Sequence, residues 1–301
     1  MRFQNQKSSP DKYKKDPFED RKQNGPRRPK RSLPSLSPSF EQAFSFDKTA
    51  VAWLGHSSVF LHINGLNLLI DPVFSRCLSP VGIIGPRRFP GKIPKPSDFP
   101  LLDAVLITHN HYDHLDIPTI CALDDQTACY IVPKGIGRIL IGHKIAPEKI
   151  HELGWLDKFC LSGLRIFCTP AQHNSRRSLW DGDKTLWCSY VLQTDSRSVF
   201  ISGDTGFSKH FQEIHDAFGN MDLAIIECGQ YGEHWHHLHM FPEESVEACK
   251  ILHAKLAIPV HWGAYVLSTH PWNEPPRRFE QRAAEQNVNY IIPVINRIYI
   301  I

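Results

Sequence analysis

The chain has 301 residues, 42% of them apolar, with 34 Lys and Arg against 31 Asp and Glu. That is enough apolar material for a sizeable core, in one large domain or two small ones. No stretch approaches the ~20 apolar residues of a membrane-spanning helix, and the N-terminus has cations but no apolar h-region, so neither a spanning helix nor a secretory signal is expected.

Charge is unevenly placed. Residues 1–32 carry eleven Lys and Arg against four Asp and Glu, and Pro10, Pro17, Pro26, Pro29, Pro34 and Pro38 stud the same stretch. Such a composition reads as a basic, Pro-rich arm over residues 1–47, partly disordered or wrapping the body. Its readings are a solubilising tail, contact with an anionic membrane surface, or nucleic acid. Asp16-Pro-Phe-Glu is a candidate pin to the body. The eight cysteines form no Cys-x-x-Cys pair and several sit in apolar runs, the pattern of reduced core residues. A cytoplasmic protein, with peripheral membrane contact as an option, is the expectation.

From Ala50 onwards short apolar runs alternate with helical patterns. Strands are expected at 50–54, 59–63 and 66–70, with Asn64-Gly65 as a tight hairpin signal between the last two. Residues 72–103 are a long irregular insertion mixing aromatics, aliphatics and arginines. It is either a wall over a site or a surface excursion. Strands at 104–108 and 129–132 follow, with helices at 117–123 and 135–142. The second half gives strands at 164–169, 186–194, 198–202, 223–227 and 256–260, and helices at 209–218, 242–253 and 276–285. Pro242-Glu243-Glu244 places proline in a first turn and acids at the positive end of the helix dipole.

The most informative segment is Ile-Thr-His109-Asn-His111-Tyr-Asp113-His114, at the end of the strand 104–108. Imidazole and carboxylate are the side chains that borderline divalent ions favour. Alternate residues of an extended segment share a side. His109, His111 and Asp113 therefore point one way and His114 another, so one loop can feed two metal positions. A solvated polar loop is the bland alternative. His173, Asp204 and His261 each follow a further strand run.

His109-x-His111-x-Asp113-His114, followed in order by His173, Asp204 and His261, resembles the defining motif of the metallo-β-lactamase fold. Val51-Ala-Trp-Leu-Gly-His56-Ser-Ser, Leu69-Ile-Asp71-Pro, Pro170-Ala-Gln-His173, Ser202-Gly-Asp-Thr-Gly and His261-Trp-Gly resemble one branch of it. That branch contains N-acyl-phosphatidylethanolamine-hydrolysing phospholipase D and its bacterial relatives, and the similarity covers roughly residues 48–301. The resemblance implies an α/β four-layer αβ/βα sandwich and a binuclear centre, two zinc ions with iron or manganese as alternatives. One ion would take His109, His111 and His173, the other Asp113, His114 and His261, with Asp204 between them and a hydroxide held by the pair as the attacking group. It singles out His239 as a further active-site histidine, able to bind phosphate or protonate a leaving oxygen. Asp113, Asp204 and His239 are the expected catalytic residues. Asp71 is expected to accept from a ligand imidazole, or to cap the following turn. His56 is a site neighbour or a satisfied structural histidine, and His234, His236 and His237 have no assigned role.

The expected activity is a metal-dependent phosphodiesterase of phospholipase D type acting on a phospholipid or related phosphodiester. A sugar-phosphate lactonase, or another hydrolase of the same fold, is the runner-up, and a non-catalytic metal-binding membrane-surface protein is the reading from another class. Nucleic acid is not an expected substrate, since no aromatic-basic ladder for stacking bases is present. A homodimer is implied by resemblance alone.

Overall fold

A computed structural model describes residues 2–6, 25–40, 48–80, 82 and 84–301. The first half builds strands β1 (Ala50–Trp53), β2 (Val59–Ile63), β3 (Leu66–Ile70), β4 (Ala104–Leu106), β5 (Tyr130–Pro133) and β6 (Ile150–Leu153), with helices α1 (Ile117–Leu123) and α2 (Gly137–Gly142). The second half builds β7 (Lys158–Leu161), β8 (Leu164–Thr169), β9 (Ser189–Gln193), β10 (Ser198–Ile201), β11 (Leu223–Glu227) and β12 (Ala257–Val260), with α3 (His210–Phe218), α4 (Pro242–Ile251) and α5 (Glu274–Glu285). A last strand, β13 (Ile298–Ile300), returns to the first half.

The strands form two sheets, ordered β13-β1-β2-β3-β4-β5-β6 and β12-β11-β10-β9-β8-β7. Each half begins with antiparallel hairpins and continues with parallel strands: β3, β4, β5 and β6 in the first, β10, β11 and β12 in the second. Asn64 and Gly65 both have positive φ, 55° and 75°, so the β2–β3 hairpin closes through two left-handed residues, the turn whose twist matches paired strands.

Side-chain alternation assigns the layers. Leu68 and Ile70 of β3 join the apolar cluster that lies between the sheets and continues to Phe211, Val246 and Phe279 of α3, α4 and α5. Leu69 points the other way and meets Ile120, Leu123 and Leu140 of α1 and α2. Helices therefore cover the outer face of each sheet, giving the α/β four-layer sandwich. Strands buried on both faces need apolar residues at every position, which is why they read as continuous runs.

The differences from sequence expectation sit at sheet edges and at strand ends. β6, β7 and β13 consist almost wholly of half-buried and exposed residues, so they lack the fully buried runs of the central strands. β4 stops at Leu106 rather than 108 because Thr108 N turns to donate to the Asp71 carboxylate at 2.8 Å. The expected strand 186–194 begins at Ser189. Leu186 and Cys188 instead donate backbone N–H to the carbonyls of Lys134 and Thr108 in the other half, which ties the two sheets together near the site.

The insertion packs on the loop after β12. Val73 and Leu78 cluster with Ala264 and Tyr265, and Arg88 donates to the carbonyls of Val73 and Leu54. Parts of the N-terminal segment lie on the body: Leu33 and Phe40 are buried, and Leu36 N donates to the Ile295 carbonyl at 3.0 Å. The Asp16-Pro-Phe-Glu pin lies outside the described residues. Among the described residues no helix is long and apolar enough to cross a membrane.

Candidate metal centre

The polar residues of interest leave the carboxyl ends of strands from both sheets. β4 runs into His109–His114, β8 into His173, β10 into Asp204 and β12 into His261, while β1 leads to His56, β3 to Asp71, and β11 ends on Glu227. The crevice outside strand carboxyl ends is where open α/β sheets place ligands. Several chains turn there abruptly: His56, Asp71 and His261 have φ of 55°, 41° and 68°. Left-handed backbone at non-glycine residues costs of order 1–3 kcal/mol each and persists only where surroundings enforce it.

These turns bring the seven histidines and aspartates named as metal ligands into one buried cluster. His111 Nδ1 lies 2.9 Å from His109 Nε2 and 3.3 Å from His173 Nε2. His114 Nε2 lies 3.3 Å from His261 Nε2, and Asp113 Oδ2 is 3.3 Å from His261 Nε2. Asp204 stands between the groups: its Oδ2 is 3.1 Å from His114 Nε2 and 3.7 Å from both His109 Nε2 and His173 Nε2, and its Oδ1 is 3.3 Å from His261 Nε2.

The far nitrogens of the rings are held by other groups. His114 Nδ1 donates to Asp71 Oδ2 at 2.7 Å, so Asp71 takes the orienting role rather than a purely capping one. His173 Nδ1 donates to the Leu238 carbonyl at 3.0 Å, and His109 Nδ1 is 3.1 Å from Thr108 Oγ1. Partners of this kind choose the tautomer and aim the other nitrogen inward.

Electrostatics separates the donors into two kinds. Burial holds the imidazoles of His109 and His173 well below the usual histidine range and brings His111 down to about 4, so these rings are neutral donors. For His114 and His261 burial acts the same way, but it is outweighed. Asp204, Asp71 and Asp113 hold His114 well above its ordinary value, and Asp204 with bonds to Asp113 and Glu227 raises His261 to about 10. Burial would raise the carboxyls of Asp113 and Asp204, yet the neighbouring His114 charge holds both well below the carboxylate range. The carboxylates thus favour a proton on the rings of His114 and His261.

The donor set fits divalent ions. Two groups of four, His109/His111/His173/Asp204 and His56/Asp113/His114/His261, each present ligand atoms within 4.8 Å of one another. Ligand bonds of ~2.1 Å at tetrahedral angles set donors about 3.4 Å apart, close to the spacings above. Asp204 Oδ1, although buried, has no hydrogen-bond partner, as expected of an oxygen reserved for a cation.

Three residues near the centre were not legible, or only half so. His56 Nε2 lies 2.9 Å from Asp113 Oδ2 and the residue is fully buried, so it is a site neighbour; burial brings its pKa to about 4. Glu227 is fully buried and, with Asp204, His239 and His261, forms a third close group. Its one sequence signal is an acid closing an apolar strand run. Asn5 brackets a ligand's backbone, donating to the His173 carbonyl at 3.0 Å and accepting from His173 N at 3.1 Å. His239 stacks on His261 at 5.3 Å. His234, His236 and His237 stand outside all three groups. His236 pairs with Glu244 at 2.8 Å, and the His237 carbonyl accepts from Gln172.

Comparison with known proteins agrees with this architecture. The family model described as a beta-lactamase superfamily domain matches residues 66–262. An uncharacterized protein of Mycobacterium tuberculosis is 36% identical over 271 residues, covering 89% of this chain and 72% of its own. N-acyl-phosphatidylethanolamine-hydrolyzing phospholipase D 1 of Caenorhabditis elegans is 33% identical over 240 residues, 75% of this chain and 67% of that protein. Among solved structures, the metallo hydrolase Igni18 of Ignicoccus hospitalis superimposes with a TM-score of 0.65 at 21% identity, over 84% of this chain and 98% of that one, a likeness of fold. A matched model across two-thirds of the chain, on a fold whose strand ends converge on clustered imidazoles and carboxylates, means that the chain belongs to the metallo-β-lactamase superfamily of metal-dependent hydrolases.

Proposed function

We propose that the chain is a zinc-dependent phosphodiesterase of phospholipase D type, acting on N-acyl-phosphatidylethanolamine-like glycerophospholipids at a membrane surface from the cytoplasmic side. The observation that carries this reading is the similarity to the Caenorhabditis elegans phospholipase. A match over three-quarters of the chain necessarily runs through His109, His111, Asp113, His114, His173 and Asp204.

His109, His111 and His173 with Asp204 would hold one divalent ion, and Asp113, His114 and His261 with Asp204 the second. Two such ions supply charge stabilisation for both oxygens of an in-line displacement at phosphorus and lower the pKa of water. The protein's own residues do the rest. Asp71 and the Leu238 carbonyl fix the rings of His114 and His173. His56 holds the Asp113 carboxylate from behind. His239, with its side chain 14% exposed, is a half-buried histidine at the cluster, as His111 is. It would bind a phosphoryl oxygen or pass a proton to the leaving oxygen.

The test is purified protein loaded with zinc and mixed with vesicles containing N-acyl-phosphatidylethanolamine, with Asp204→Asn as the inactive control. Release of phosphatidic acid is expected. Lactone hydrolysis without phosphodiester hydrolysis, at full metal content, would overturn the lipid reading in favour of a lactonase.

A further inference from the structure

Glu227 is a fully buried carboxylate at the end of β11, and the chemistry described so far gives it no work. Its two oxygens face different ways. Oε1 is taken by backbone: it accepts from Met240 N at 2.9 Å and lies 3.4 Å from Thr205 N. Oε2 faces two imidazoles at nearly equal distance, His239 Nδ1 at 3.4 Å and His261 Nδ1 at 3.5 Å. Those two rings lie nearly parallel, 12° apart, with centroids separated by 5.3 Å.

A carboxylate oxygen that faces a ring nitrogen requires the proton on that nitrogen. In the neutral ring, the form that can bind a metal ion, the other nitrogen then keeps its lone pair. For His261 that nitrogen is Nε2, the one aimed at Asp204 and Asp113. For His239, the partly open ring, it is Nε2 on the side away from Glu227.

We propose that Glu227 is the positioning residue of this centre, one carboxylate that sets the ring orientation and tautomer of both His261 and His239. It would couple a metal-ligand ring to the ring that meets substrate. The part concerning what His239 touches rests on the hydrolase reading above; the tautomer assignment does not.

The two rings differ in their dependence on Glu227. His261 Nδ1 has a second acceptor in the Gly229 carbonyl at 3.4 Å. For His239 Nδ1 the other carboxylate nearby, Asp204, has its Oδ2 at 4.0 Å, beyond hydrogen-bond range. The effect of losing Glu227 falls mainly on His239.

Glu227→Gln separates positioning from a merely structural role. Glutamine keeps a carbonyl oxygen for Met240 N, so the backbone bonds survive, but turns an NH2 group towards the rings. In nitrogen-15 spectra of the metal-free, folded protein, wild-type His239 is expected to carry its proton on Nδ1, with the resonance assigned by its loss in His239→Asn. In Glu227→Gln the proton is expected on Nε2. Zinc retention against a chelator should fall less than tenfold, because the Gly229 carbonyl still holds His261. On whichever ester the wild type hydrolyses, kcat should fall roughly tenfold to a hundredfold with KM little changed, the usual scale for loss of an outer partner. A folded Glu227→Gln protein with the His239 proton still on Nδ1 would overturn the proposal. Wild type that cleaves no phosphodiester but shows the tautomer change would remove the lipid reading and leave the role of Glu227 standing.

Discussion

Replacing Asp71 with Asn isolates how much the ring-orienting layer contributes to metal binding. Asp71 is buried and its carboxylate accepts three hydrogen bonds: from Thr108 N at 2.8 Å, Thr108 Oγ1 at 2.7 Å and His114 Nδ1 at 2.7 Å. Asparagine can keep its Oδ1 on Thr108 N, and the threonine hydroxyl can rotate to accept from the new NH2. It also tolerates left-handed backbone about as readily as aspartate, so the φ of 41° adds no further strain. The bond most weakened is that of His114, whose other acceptor in range is Thr108 Oγ1 at 3.3 Å, longer than the 2.7 Å bond to Asp71. Its Nδ1 now faces a donor, so the ring proton moves to Nε2 and removes the lone pair aimed into the cluster. Losing one hydrogen bond to a charged group costs about 1.5–3 kcal/mol. Loss of an outer partner to a metal ligand costs roughly 10–100-fold in affinity, which is about 1.4–2.7 kcal/mol; the two routes to the number agree. Competition with a fluorescent zinc chelator measures it, and circular dichroism establishes that the variant is folded. A folded Asp71→Asn protein that retains both ions with wild-type affinity would refute the claim that Asp71 orients His114.

Three more outcomes follow from the same geometry. In the metal-free protein His261 titrates at about 10 and His114 well above its ordinary value. The stability from these protons is fully present below the unfolded histidine value of ~6.5 and is lost as pH rises towards the folded values. Metal-free protein should therefore melt at progressively lower temperature between pH ~6.5 and ~10, and zinc binding in that window should release protons, measurable by calorimetry in buffers of different ionisation heat; binding without release would contradict it. Asn5→Ala removes the bridge to the His173 backbone and one of the two acceptors of Trp187 Nε1, leaving the Ala171 carbonyl. It should cost about 1–2 kcal/mol of stability and speed hydrogen exchange at the His173 amide, whereas unchanged exchange would show that the bridge is not formed in solution. Gly229→Ala would put a Cβ 2.1 Å from the His261 carbonyl oxygen, against open space at Gly91. The first should destabilise by about 1–3 kcal/mol or more and lower metal content. Gly91→Ala should stay within about 0.5 kcal/mol of wild type in a denaturant titration.

Much of this architecture is legible in one dimension because burial on both faces forces continuous apolar runs. Val59–Ile63, Leu66–Ile70 and Leu223–Glu227 were readable to the residue, and so was α1 at Ile117–Leu123. The edge strands β6, β7 and β13 were not, since with one solvated face and one free edge they lack the fully buried runs of the central strands. The histidines and aspartates at strand ends stood out for a related reason: metal-grade side chains directly after apolar runs are conspicuous in any linear reading.

What the linear chain leaves undetermined is which distant groups meet behind those side chains. Asn5 lies 168 residues from His173, His56 lies 57 from Asp113, and Glu227 faces His239 and His261 from a strand whose composition looks merely apolar. A hydrogen bond needs two groups within about 3.5 Å, and no periodicity or spacing in a sequence encodes that approach. The amino-acid order set the strands and the donors at their ends. Packing one sheet against the other decided which carboxylate turns which ring.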